Sequence, residues 1–234
     1  MNLPNALTVG RIAVTPAIAL LPLLPSWQWR LAAFVLYIIA AVTDYYDGML
    51  ARSRNLITSL GQLLDPLADK LLLVATFVPM YLLMHAPAAV DCAPGAPGAD
   101  CTLPDLRFAT PFGAVGLPLW VVLVVVGREA FMTIFRQAAA RRGVIIAAMG
   151  PAKWKTGFQQ TWVGAAFFWF FAATLAVARG WSAERDAAWR LFAQFNGIVG
   201  TLTMGVAVLL TLYSLWIYLR RYGGLFFGAK AGAR

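Results

Sequence analysis

Long, nearly continuous apolar runs dominate the chain, broken at intervals by short clusters rich in charge, proline or glycine. Strands of a membrane barrel alternate over segments of about ten residues, so runs this long predict helical spans instead. Six spans are expected, at Leu7–Pro25, Leu31–Ala51, Leu60–Met84, Pro111–Ala139, Thr156–Ala178 and Phe195–Leu219. The fourth is expected to leave the hydrocarbon near Gly127 and continue as a cytoplasmic helix. Pro16, Pro22 and Pro25 threaten to kink or shorten the first. His85–Thr110, rich in Pro, Ala and Gly, reads as an extramembrane loop. With no soluble domain, long linker or internal repeat, residues 1–234 read as one all-α membrane domain.

Composition agrees with that pattern. Of 234 residues, 61% are hydrophobic and 12% charged, whereas a soluble domain is about half apolar and a quarter charged. The opening "MNLPNALTVGRIAV" lacks a basic region followed by a small-residue cleavage site, so the N-terminus is expected to be retained.

Charge sets an orientation. Arg11, Arg52, Arg54, Arg136, Arg141, Arg142, Lys153, Lys155, Arg220, Arg221, Lys230 and Arg234 fall on one side, with Lys70 and Arg128 near the same face. The other side has Arg30, Arg107, Arg179, Arg185 and Arg190, balanced by Asp91, Asp100, Asp105, Glu184 and Asp186. The positive-inside rule then places both termini in the cytoplasm, in a bacterial inner membrane. Topology and anionic lipid account for the net charge of +9, and no nucleic-acid motif accompanies it. Cys92 and Cys101 share the outer loop, where a local disulfide and free thiols are both compatible with the sequence.

One stretch resists the apolar pattern: "DYYDGMLARSRNLITSLGQLLDPLADK", Asp44 to Lys70, holds four of the ten acidic residues. Asp44 and Asp47 are i, i+3 and Asp65 and Asp69 i, i+4, so each pair shares one helix face. A short basic turn makes the two helices an antiparallel pair on which all four acids can converge. Gly48, Ala51 and Gly61 flank the acid stripes with side chains too small to block a ligand or a neighbouring helix. Pro66, directly after Asp65, removes a backbone hydrogen bond and can free a carbonyl there. Four converging carboxylates repel and take up protons unless positive charge joins them. Oxygen-only ligation without His or Cys points to Mg²⁺ or Mn²⁺, with Ca²⁺ as an alternative, and four acids suit two ions. A salt-bridge network with Arg52, Arg54 and Lys70 is one competing reading. An ion or proton pathway is another, although it would spread acids through the bilayer rather than gather them at one face.

The stretch resembles the motif D-x-x-D-G-x-x-A-R-x8-G-x-x-x-D-x-x-x-D of the CDP-alcohol phosphotransferases, through Asp44, Asp47, Gly48, Ala51, Arg52, Gly61, Asp65 and Asp69. Every fixed position and every gap agrees. "NLPNALTVGRI", "LLDPLADKLLL", "GREAFMTIFR" and "GPAKWKT" are similar to the branch that makes phosphatidylglycerophosphate. The likeness runs from the N-terminus to about residue 160. The later spans match only as apolar helices, and the Cys-containing loop is a departure.

The resemblance implies a homodimer with six spans that moves the phosphatidyl group of CDP-diacylglycerol onto an alcohol. In this branch the alcohol is sn-glycerol 3-phosphate, and CMP is released. Sister enzymes use phosphatidylglycerol (making cardiolipin), inositol phosphate or serine. It also implies that Asp44, Asp47 and Asp65 hold metal, and that Asp69 is the general base and a further metal ligand. Gly48, Arg52, Thr58, Asn5 and Thr8 would contact CDP-diacylglycerol, Asn5 and Thr8 being equally suited to capping a helix.

The acceptor's phosphate needs cations, and Arg128, Arg136, Lys153 and Lys155 are the candidates, with positive-inside anchoring as their other reading. Arg141 and Arg142 read as anchors, and Glu129 as a partner that orients an arginine. A transporter is the reading from another class. His85 falls at the outer end of its span, "FFWFF" at 167–171 suits packing or lipid, and Trp27, Trp29 and Trp181 suit an interfacial belt.

Overall fold

A computed structural model describes residues 3–53, 59–86, 104–144, 150–181, 183 and 185–222. Its helices are α1 (Leu3–Leu20), α2 (Trp27–Ser53), α3 (Ser59–His85), α4 (Leu119–Arg141), α5 (Gly150–Ala178) and α6 (Ala187–Tyr222). Local chemistry explains most of their ends. After α1, a single 3-10 turn, Leu21–Leu23, leads to Leu24 in an extended conformation (φ −73°, ψ 137°). Pro25 disfavours helix in the residue before it. The first helix therefore ends before the Pro25 expected from hydropathy, whereas Pro16 lies inside α1 without ending it.

Two helices stop on glycine. Gly143 follows α4 with φ 75° and Gly180 follows α5 with φ 70°. In the first, Gly143 N–H donates to the Ala140 carbonyl (3.0 Å) and Val144 N–H to that of Ala139 (3.0 Å). In the second, Gly180 N–H donates to Val177 (3.1 Å) and Trp181 N–H to Ala176 (2.9 Å). Both are the paired closing bonds of a helix end that needs a left-handed residue.

α1 lies against α2 and α3, α2 against α5, and α5 against α6, with α4 between α3 and α6. The core at their junction holds Ile18, Tyr37, Phe77, Met80, Trp162, Phe167 and Phe170. Phe77 meets Trp162 edge-on with ring centroids 5.1 Å apart, a favoured aromatic arrangement. The "FFWFF" run joins this packing. Trp169 stacks on Trp189 of α6 and donates its indole N–H to the Arg107 carbonyl (2.8 Å).

The described residues are mostly helical, as an all-α membrane protein requires, but the expected start of the fourth span at Pro111 needs correction. Phe108–Thr110 (β1) and Gly113–Val115 (β2) form an antiparallel hairpin, with Phe108 opposite Val115, and α4 begins only at Leu119. The hairpin lies on α6 because two glycines admit it. A Cβ at Gly197 would stand 1.8 Å from the Ala109 carbonyl oxygen, and one at Gly200 would stand 2.4 Å from the Phe108 ring. Phe108 is thereby fully buried. α6 also starts earlier than expected, at Ala187 rather than Phe195.

Among the described residues, four helices contain stretches long and apolar enough to cross a membrane: Asn5–Leu23, Leu64–His85, Trp154–Ala178 and Ala187–Tyr222. The apolar runs of α2 and α4, at 31–43 and 119–127, each end at charged residues. The charged end of α2 and the charged half of α4 flank one cavity.

Candidate active site

α1 carries a polar stripe through an otherwise apolar helix. Asn5, Thr8, Arg11 and Thr15 recur every three or four residues and all are buried. Arg11 reaches two other helices, pairing closely with Asp44 Oδ1 on α2 and donating from Nη1 to Asp69 Oδ1 on α3 (3.2 Å). One turn earlier, Thr8 Oγ1 donates to Asp65 Oδ1 (2.9 Å). Three of the four motif acids are thus held from α1. The Arg11 side chain is 1% exposed, against 35% for Asp44 and 62% for Asp69, so the carboxylates face open space with the arginine behind them.

That space is a cavity of about 340 Å³, within the usual size of small-ligand sites. Its acidic wall is Asp44, Asp65 and Asp69, while Glu129, Thr133 and Arg136 of α4 and Lys155, Thr156, Gln159 and Gln160 of α5 line the other side. Tyr37, Leu73, Thr76 and Val163 also line it. Tyr37 donates its hydroxyl to the Gln160 carbonyl (2.9 Å), tying α2 to α5.

The basic wall is organised around Glu129. Its Oε1 accepts from Arg128 Nη1 (2.8 Å) and pairs closely with Lys155. Arg128 then turns away from the cavity, donating from Nη2 to Ser214 Oγ on α6 (3.0 Å). It is therefore absent from the cavity lining, unlike Arg136 and Lys155, with which the sequence had grouped it. Arg136 lies over the Tyr218 ring, 5.8 Å from its centroid, with Nη2 3.5 Å from the hydroxyl.

Asn5 is buried at the start of the α1 stripe, next to Thr8. Asp47, Gly48 and Arg52 belong to α2 and Lys153 to α5, but their side chains lie outside the described set. Thr58, Cys92 and Cys101 lie outside the described residues altogether. His85 closes α3, with Nδ1 2.9 Å from the Tyr81 carbonyl oxygen. Sequence reasoning took Arg11 for an orientation charge and passed over Tyr37, Gln159 and Gln160. The signal for Arg11 was its place three residues after Thr8, and for Gln159 its place four residues after Lys155.

The acidic wall offers carboxylate oxygen alone, a donor set suited to Mg²⁺ or Mn²⁺. Among the described residues no three acids form a ready coordination shell. The donor chemistry fits a divalent ion, and at present Arg11 supplies positive charge between Asp44 and Asp69.

A family model described as CDP-alcohol phosphatidyltransferase matches residues 1–222. Over 171 residues the chain is 33% identical to the CDP-diacylglycerol--glycerol-3-phosphate 3-phosphatidyltransferase of Bacillus subtilis, covering 68% of this chain and 72% of that protein. An Arabidopsis thaliana protein named CDP-diacylglycerol--glycerol-3-phosphate 3-phosphatidyltransferase 1, chloroplastic/mitochondrial, is 29% identical over 94% of this chain and 62% of its own length. A rice protein named cardiolipin synthase (CMP-forming) is 30% identical over 94% of this chain and 57% of its own length. With a match over nearly its whole length and the acidic motif lining an interhelical cavity, the chain belongs to the CDP-alcohol phosphatidyltransferase family.

Proposed function

We propose that the chain transfers the phosphatidyl group of CDP-diacylglycerol to sn-glycerol 3-phosphate, giving phosphatidylglycerophosphate and CMP. The observation that carries this reading is the cavity itself, with Asp44, Asp65 and Asp69 on one wall and Arg136 and Lys155 on the other. A diphosphate donor that loses CMP and a phosphorylated alcohol both find complementary charge in one cavity.

In this reading the acceptor's phosphate lies against Lys155 and Arg136, which brings its free hydroxyl toward the acidic wall. Asp69 takes the hydroxyl proton as the new oxygen–phosphorus bond forms. The bond between the two donor phosphorus centres' bridging oxygen and the attacked phosphorus breaks, and CMP leaves with that oxygen. Asp44, Asp47, Asp65 and Asp69 would hold Mg²⁺ or Mn²⁺, which when bound neutralises the diphosphate and stabilises charge at the attacked phosphorus. Asn5, Thr8, Gly48, Arg52 and Thr58 belong to the donor side and Lys153 to the acceptor side. Arg128 supports Glu129 and α6 from behind the cavity.

The same reading places six spans in a bacterial inner membrane, with both termini and the cavity at the cytoplasmic face and two chains in a homodimer. α2 and α4 cross as members of the bundle, their charged ends opening on the cytoplasmic cavity.

Phosphatidylglycerol is the second acceptor to weigh, because of the likeness to the rice protein named cardiolipin synthase. The cationic wall favours the more highly charged phosphomonoester of glycerol 3-phosphate over the singly charged phosphodiester of phosphatidylglycerol. A transporter is disfavoured because α1, α5 and α6 carry no acidic residue. Incubating the chain with CDP-diacylglycerol, Mg²⁺ or Mn²⁺ and each candidate acceptor, and following CMP, tests the proposal. Release with glycerol 3-phosphate is expected. Release only with phosphatidylglycerol, inositol phosphate or serine moves the chain to a sister activity, and release with none removes the enzyme reading.

A further inference from the structure

We infer that Arg11 is a built-in counter-cation of the acidic wall, holding Asp44 and Asp69 in the metal-free protein and competing with a divalent cation for them. The inference rests on the metal-binding part of the function proposed above and concerns a residue to which that function gave no task.

Arg11 is the one described cation that touches two of the motif acids, and it does so from a third helix. A guanidinium keeps its charge under all ordinary conditions and presents several N–H donors in one plane, so it can bridge two carboxylates. Its approach is from the protein side. The Arg11 side chain is buried, whereas Asp44 and Asp69 remain open to the cavity. An ion arriving from the cavity therefore meets carboxylates already drawn toward positive charge on their far side.

Thr15 Oγ1 donates to the Arg11 carbonyl (2.7 Å), and Thr8 on the same face donates to Asp65. A metal that reaches Asp44 and Asp69 from the cavity must share or displace this existing partner. Arg11 is thus a positioning residue, distinct from an ordinary helix-to-helix ion pair because its energetic effect depends on whether metal is present.

The test uses the full chain in detergent, as wild type, Arg11→Gln and Arg11→Lys. Thermal unfolding is measured in chelator and in Mg²⁺, and Mn²⁺ affinity by electron paramagnetic resonance. Arg11→Gln should unfold at lower temperature in chelator, recover more on adding Mg²⁺ than wild type gains, and bind Mn²⁺ about tenfold more tightly, the effect of one nearby unit charge in a water-filled site. Arg11→Lys should lie between, because it keeps the charge and loses the planar fork. Equal loss of stability with and without metal, with unchanged or weaker Mn²⁺ affinity, would overturn the inference and leave a packing role. Should Arg11→Gln not fold, Arg11→Lys decides by the same readout: tighter Mn²⁺ binding supports competition, and unchanged or weaker binding refutes it. Absence of Mn²⁺ binding by wild type would overturn both this inference and the metal part of the proposed function. Mn²⁺ binding without CMP release from any acceptor would sink only the transferase reading.

Discussion

The two walls of the cavity are built on the same plan with opposite sign. On the acidic wall a buried arginine, Arg11, serves Asp44 and Asp69. On the basic wall one carboxylate, Glu129, serves Arg128 and Lys155, with Arg136 nearby on the same lining. With Lys70 of α3, which also lines the cavity, two cations meet three carboxylates on the acidic side, and on the basic side one carboxylate meets three cations. The remainder is negative on one side and positive on the other, which suits a metal-bound diphosphate facing a phosphorylated alcohol. In the proposed function, internal pairing and ligand recognition would be two uses of one set of charges.

The largest expected effect comes from removing the proposed base. Asp69→Asn should lower turnover by roughly 10²–10⁴, the range of general-base catalysis, while donor binding persists in part. Near-normal turnover in a CMP-release assay would take Asp69 out of that role and leave the acidic wall as a metal site alone. On the opposite wall, Lys155→Gln should raise the KM for glycerol 3-phosphate by about 10- to 100-fold, consistent with losing a charge-assisted hydrogen bond of about 1.5–3 kcal/mol. Its kcat should fall much less. A fall in kcat with KM unchanged would separate Lys155 from the acceptor's phosphate.

Glu129→Gln probes the plan itself. It leaves Lys155 and the buried Arg128 without their shared anion and should cost about 1–3 kcal/mol, part of the group being screened by solvent. The readout is a lowered unfolding temperature that added inorganic phosphate partly restores; failure of phosphate to help would show that the wall binds no anion. The smallest effect is expected far from both walls. Gly143→Ala, placing a Cβ on a residue with φ 75°, should lower stability by about 1 kcal/mol without altering KM for either substrate. A changed KM would mean that the end of α4 positions Arg136 more tightly than the comparison of walls implies.

Different parts of this architecture were legible in the sequence to different degrees. Asp44, Asp65 and Asp69 could be placed together because helical spacing and a short connection leave few alternatives. The hairpin at Phe108–Val115 could not, because its three-residue strands carry little periodic signal. What makes it possible is the absence of side chains at Gly197 and Gly200, nearly ninety positions away in the chain. Arg128 and Arg136 are eight residues apart and looked like one pair on a helix face. Ser214 draws the first behind the cavity and Tyr218 holds the second beside it. Arg11 was visible as a basic residue near a helix end, but a charge alone does not reveal whether it meets lipid headgroups or two aspartates.

By itself the sequence determined the features that rest on local spacing and backbone preference. These are the long apolar helices, the proline-marked end of α1, and the paired aspartates on two helix faces. Periodicity and φ/ψ preference act over a few residues, and so they can be read a few residues at a time. Only the tertiary structure decided which charges became partners: Arg11 with Asp44 and Asp69, Glu129 with Lys155, and Arg128 with Ser214. Those pairings depend on distances between helices remote in the chain, and an interaction that falls off with distance and solvent access is set by packing.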